Sequence, residues 1–175
     1  MKFLTHICCF LLLLGCKTKQ ITLITEKQEF KATTNCPEDG VCSVELIPNS
    51  SLIVKSDEFG NTYTIIEKGE KTILKFIFSR NVDKQYVDGH YIEEIYAEFD
   101  KELPDLTLQD KNLSNVKLLF NRMCYCKGSA GFYHITEGNL SFKKTKKNTF
   151  NFQLNFTMDK VPQVITSINE TFTLD

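Results

Sequence analysis

The chain of 175 residues has no tryptophan and only two arginines, Arg80 and Arg122, within a Lys-plus-Arg total of 21. Saccharide-binding sandwiches usually display exposed Trp and Tyr platforms, and here Tyr alone is left to supply them. Asp plus Glu, 22 in all, nearly cancels the basic residues and leaves a formal net charge of -1. With no basic excess to displace counterions and almost no guanidinium for bidentate readout, nucleic-acid binding is set aside. No internal repeat, low-complexity linker or sustained 3.6-residue periodicity runs through the sequence, which excludes collagen-like, coiled-coil and disordered classes. The composition, 42% apolar and 25% charged, is that of an ordinary globular domain.

What is present is alternation. Phe150, Phe152, Leu154, Phe156 and Met158 interleave with Asn151, Gln153, Asn155 and Thr157, which describes a strand with one buried face. Leu74, Phe76 and Phe78 alternate with Lys75 and Ser79, while Ile73 and Ile77 add apolar surface on the second face, as a central strand requires. Cys42, Val44 and Leu46 alternate with Ser43 and Glu45. Val116, Leu118, Phe120, Arg122 and Cys124 share one face, and Leu119, Met123 and Tyr125 the other. Clusters such as Pro48-Asn49-Ser50, Phe59-Gly60-Asn61, Lys68-Gly69-Glu70 and Glu137-Gly138-Asn139 punctuate these runs. The spacing predicts strands over 21–33, 41–47, 51–57, 62–67, 72–80, 90–99, 115–125, 131–136, 139–145, 149–158 and 164–174. Only 100–113 lacks alternation, and Pro104 limits any helix there to a short piece. The expected fold is all-β, a single antiparallel β-sandwich over 21–175, immunoglobulin-like or jelly-roll-like, with about ten strands and little helix. Fourteen Phe supply its core volume without a polar handle.

The first residues read differently. Lys2 precedes an apolar run from Phe3 to Leu14, about 12 residues long, within the range of a signal-peptide core and short of the roughly 20 that a transmembrane helix needs. Leu13-Leu14-Gly15-Cys16 then resembles the lipobox of bacterial lipoproteins, which are cut before the Cys and acylated on its sulfur. The resemblance implies a signal peptide over 1–15, a lipid anchor on Cys16 and a polar tether over 16–20 that includes Lys17, Thr18, Lys19 and Gln20. Several buried acyl chains hold a protein to a bilayer in practice irreversibly. In diderm bacteria, Lys17 rather than Asp after the Cys implies the outer membrane. The Lys-over-Arg usage with abundant Asn and Ile is similar to envelope lipoproteins of flavobacterial type. The rival is a secreted, unlipidated adhesin-like module. Five glycosylation triplets, at Asn49, Asn112, Asn139, Asn155 and Asn169, fit a eukaryotic secreted chain, although Asn155 falls in the middle of a predicted strand.

Of seven Cys, Cys8 and Cys9 leave with the signal and Cys16 takes the lipid. Cys36, Cys42, Cys124 and Cys126 remain, and in an exported chain they read as two disulfides with the connectivity open. Cys36 and Cys42 flank the turn Pro37-Glu38-Asp39-Gly40 and close a short loop without strain. Cys124 and Cys126, two apart in a strand, point the same way at a separation near the limit for a relaxed bridge, which argues for cross-pairing with the first two. Against these structural roles stands an envelope metal carrier or redox protein using Cys124 and Cys126, with Met123, His90 or His134 as soft ligands.

Other candidates have simpler readings. Asp83, Asp88, His90, Glu93 and Glu94 gather oxygen ligands around one imidazole, yet Asp88-Gly89 is a turn and Glu93 and Glu94 alternate faces. Lys127-Gly128-Ser129-Ala130-Gly131 has glycines but no following helix, so it is a tight turn rather than a phosphate cradle. Lys143, Lys144, Lys146 and Lys147 read as a solvated hairpin tip that blunts edge pairing, the alternative being a role near anionic head groups. Tyr86, Tyr91, Tyr96, Tyr125 and Tyr133 place any binding surface in the middle third. The sequence thus predicts a monomeric, lipid-anchored envelope protein with a binding or structural role toward a protein or glycan, with no catalytic residue, metal or cofactor.

Overall fold

The computed structural model describes residues 27–32, 36–83, 85, 88–103 and 105–173. Eleven strands form two antiparallel sheets that pack face to face, so the expected β-sandwich is the fold. They are β1 (Gln28–Lys31), β2 (Gly40–Ser56), β3 (Thr62–Lys68), β4 (Lys71–Arg80), β5 (Tyr91–Asp100), β6 (Leu106–Gln109), β7 (Lys117–Cys124), β8 (Gly131–His134), β9 (Gly138–Lys146), β10 (Thr149–Phe156) and β11 (Ser167–Thr173). The larger sheet runs β1-β2-β4-β5-β7-β8, with β3 paired to the second half of β2; the smaller runs β11-β10-β9-β6. Cys16 and the tether precede the described residues, and Tyr86 also lies outside them.

The core forms where the alternating apolar faces meet. Phe76, Phe78, Ile95, Leu118 and Phe120 from the larger sheet pack against Leu140, Phe142, Phe152 and Leu154 from the smaller. Phenylalanine dominates one region: Phe99 and Phe142 are 4.7 Å apart between ring centroids, Phe142 and Phe150 5.5 Å, and Phe150 and Phe172 6.0 Å. Offset and tilted rings at such distances add to their area burial.

The larger sheet has a second buried face, and β2 is the reason. Two strands were expected over 41–47 and 51–57, but one strand runs through both, with a register shift between Ile47 and Ser50. Pro48 brings no ladder donor, and Asn49 takes a left-handed φ of 51°, so Pro48-Asn49-Ser50 bends the strand without ending it. Before the bend β2 pairs with β1 and β4; beyond it, Leu52 to Ser56 pair with β3. The β2–β3 hairpin lies over the outer face, where Leu52, Ile73, Tyr96 and Leu119 form a separate cluster against Val54, Ile66 and Phe132. Among the described residues no strand pairs with Leu52 on its second edge, and side chains bond its backbone there. Its N–H donates to Glu98 Oε2 at 2.6 Å, and its carbonyl accepts from Lys117 Nζ at 2.6 Å.

Three other boundaries change. The 100–113 stretch holds the short β6 and a 3-10 turn, Asp110–Asn115. The first strand is described only over Gln28–Lys31, with 21–26 outside the described residues. The last strand begins at Ser167 rather than 164, because the N–H groups of Val164 and Ile165 are taken by a side chain of the opposite sheet.

Candidate binding surface at the disulfide end

Register brings the distinctive residues to one end of the larger sheet. Gly40 is opposite Arg80, Ser79 opposite Ile92, and Tyr91 opposite Cys124. Both arginines, both disulfides and the turn after Cys126 therefore meet there.

The disulfides are both local. Cys36 pairs with Cys42 at a Cα–Cα distance of 5.7 Å, and Cys124 with Cys126 at 5.2 Å. Of the two schemes the sequence left open, the structure has the local one: β7 ends at Cys124, and the chain bends before Cys126, so the two Cα atoms come closer than in an extended strand. Ser129 N–H donates to Cys126 O at 3.1 Å and closes a turn whose Gly128 has a φ of 76°. Only glycine enters that region without cost, so the stretch is the tight turn its sequence suggested.

Beneath this end runs a buried polar chain. Glu93 is fully buried in the apolar inner face. Its Oε1 accepts from the Tyr91 hydroxyl at 2.5 Å and from Val164 N–H at 2.7 Å, and its Oε2 accepts from Ile165 N–H at 2.7 Å. The Tyr91 hydroxyl accepts in turn from Arg122 Nε at 3.3 Å, while Arg122 Nη1 donates to Ser129 Oγ at 2.6 Å. Arg122 and Arg80 both stand over the Tyr91 ring, at 5.2 and 4.5 Å from its centroid, and Arg80 Nε reaches Asp39 Oδ2 at 2.8 Å. Burial, reinforced by the bond to Glu93, raises the Tyr91 phenol above its usual value despite the opposing pull of Arg122. At neutral pH it is a neutral hydroxyl that donates to the carboxylate and accepts from the guanidinium. The arrangement pins the 125–130 turn and the 157–166 loop to the sheet. The bonds form one connected buried network beneath the surface.

Above the platform the surface is open. Tyr125 is 85% exposed, Val41 60% and Met123 37%. A groove of about 400 Å3 is lined by Cys124, Tyr125, Cys126 and Lys127. A second, of about 570 Å3, runs between β1 and the outer face of β2 and β4, over Phe30, Val41 and Ile77.

The predicted ligand sets scatter. His90 and His134 are both exposed. His134 is opposite Leu119, whereas Tyr91, next to His90, is opposite Cys124, so the two imidazoles lie more than about 15 Å apart at about 3.3 Å per residue. Asp83 and Asp88 are exposed, and Glu93 and Glu94 face opposite sides. No three His, Cys, Asp or Glu side chains converge as a metal site among the described residues. Among the described tyrosines, Tyr91 and Tyr96 are buried, Tyr133 is half-buried, and Tyr63 and Tyr125 are exposed, Tyr125 the more so. The Arg80–Tyr91–Arg122 stack and the Glu93 clamp escaped sequence reasoning. Their signal was present: a charged residue at an inward position of an otherwise apolar strand face.

No protein-family model matches the chain, and neither a curated protein nor a solved structure matches it.

Proposed function

We propose that the chain is a lipid-anchored lipoprotein of the cell envelope, held in the outer membrane through Cys16, whose sandwich binds a protein or glycan partner at its disulfide end. The observation that carries the reading is Leu13-Leu14-Gly15-Cys16 closing an apolar run headed by Lys2. Two Cys pairs at disulfide distance support export, since such bridges persist in oxidising compartments.

The described chain starts away from the proposed binding surface. Lys27 leads into β1 at the level of Leu46, and β1 runs from there toward Ser43, so a tether from Cys16 joins the sheet away from Tyr125, Arg80 and the two bridges. An extended chain covers at most about 3.6 Å per residue, which keeps the start of β1 within about 40 Å of the bilayer. The protein acts as a monomer. Detergent phase separation of the expressed full chain tests the anchor. The native chain enters the detergent phase, and Cys16→Ser moves it to the aqueous phase. A native chain that stays aqueous overturns the reading.

A further inference from the structure

The two bridges do different work. Cys36–Cys42 closes the turn before β2, and Cys42 is buried in the core. Cys124–Cys126 encloses one residue, Tyr125, on the exposed bend after β7. Stabilisation by a cross-link grows with the length of chain it closes, so a ring spanning a single intervening residue is at the bottom of that scale. Nor does the fold need it for pairing: Cys124 is held opposite Tyr91 by the β5–β7 ladder, and Cys126 by the turn to Ser129. This short bridge, both its cysteines half-buried, lines a groove with Lys127 on its wall. A neighbouring ammonium favours the thiolate that forms when a disulfide opens. Tyr125, 85% exposed between the two sulfurs, offers a ring on which an extended peptide can rest.

We propose that Cys124–Cys126 is a thiol–disulfide exchange site that passes its bridge to reduced cysteine pairs of other exported polypeptides. A thiolate of the partner attacks Sγ of Cys126, whose residue lies outside the sheet. The Cys124–Cys126 bond breaks, its electron pair goes to Cys124 Sγ, and that sulfur takes up a proton. The partner's second thiolate then attacks the partner sulfur of the mixed disulfide, closing the partner's own bridge and releasing Cys126 as a thiol. Two electrons and two protons move from the partner to Cys124 and Cys126. A small-molecule disulfide such as glutathione disulfide reverses the change. The proposal rests on the export part of the function above and not on the lipid.

The test uses the purified full chain in glutathione buffers of stepped ratio, with acid quenching, alkylation, peptide mass mapping and circular dichroism at each step. Cys124–Cys126 is expected to open at a ratio at least about tenfold less reducing than Cys36–Cys42, with the dichroism spectrum unchanged. In the same buffers without glutathione, the chain oxidises a reduced two-cysteine peptide at one equivalent, Cys124→Ser/Cys126→Ser does not, and Cys36→Ser/Cys42→Ser still does. The proposal is overturned if the two bridges open together, if Cys124–Cys126 opens only as the fold is lost, or if the Cys124→Ser/Cys126→Ser chain oxidises the peptide equally well. These readings hold whether or not Cys16 bears lipid, so an unlipidated chain with an exchanging pair defeats the anchor alone.

Discussion

Glu93 and Glu94 are neighbours in the chain and live on opposite faces of the same sheet. Glu93 lies in the phenylalanine-rich core, and its carboxylate is saturated by one phenol and two backbone N–H groups from the loop between β10 and β11. Glu94 lies on the outer face, where Lys75 Nζ approaches Oε1 at 2.5 Å, and Tyr96 OH and Asn121 Nδ2 reach Oε2 at 2.8 Å each. The inner carboxylate joins the two sheets; the outer one sits at the margin of the surface that the β2–β3 hairpin covers. A charge within the core has to be fully bonded because water cannot reach it, whereas one at a margin needs only a partner and some shielding. The inner face therefore carries the fold, and the outer face adds to it.

The contrast can be broken from the inside first. Phe152 is fully buried and lies edge-on to Phe99 at 6.2 Å. Phe152→Ala should cost about 4 kcal/mol, measured by urea unfolding; a loss near that of an exposed residue would deny the inner face its role. Glu93→Ala comes next, at about 3 kcal/mol, because it strands the N–H groups of Val164 and Ile165 in a dry site. Hydrogen exchange checks the mechanism: those two amides should lose protection, while the β4–β5 ladder keeps its own. Leu52→Ala on the outer face should cost about 2 kcal/mol, since the hairpin can settle over the gap. A value equal to that of Phe152→Ala would make the two clusters cores of the same rank.

The smallest effect is a matter of pH. Burial works to raise the Glu94 carboxyl, but its bonds to Lys75, Asn121 and Tyr96 outweigh burial and hold it below its ordinary 4.5. A carboxylate lowered by folding contributes stability that is complete above its unfolded value and is lost as pH falls through its folded one. Unfolding free energy should therefore decline as pH drops below 4.5, and Glu94→Gln should flatten that decline while costing about 1 kcal/mol at neutral pH. An acid limb identical in the variant would remove Glu94 from the account.

Much of the fold was legible because period two is a property of single strands. The inward faces of β4, β7 and β10 were readable residue by residue, and so was the opposed placement of Glu93 and Glu94. What depended on partners was hidden. Pro48-Asn49-Ser50 reads as a turn, and only the hairpin that β2 joins beyond the bend shows it to be a bend within one strand. β6 is four residues long and offers too little alternation to register. The disulfide connectivity stayed open in the sequence, because cross-pairing presumes an extended chain at Cys124 and Cys126, and the chain bends there. Arg122 was visible as a cation on an apolar face, but its stack on Tyr91 required knowing that β5 lies beside β7.

The central claim is covalent, and mass spectrometry addresses it directly. The intact mass of the protein isolated from the membrane fraction of its expressing cells should correspond to a chain beginning at Cys16, increased by acyl groups and reduced by the hydrogens lost to two bridges. A chain that still begins at Met1, or one cut in this region with Cys16 unacylated, would contradict it.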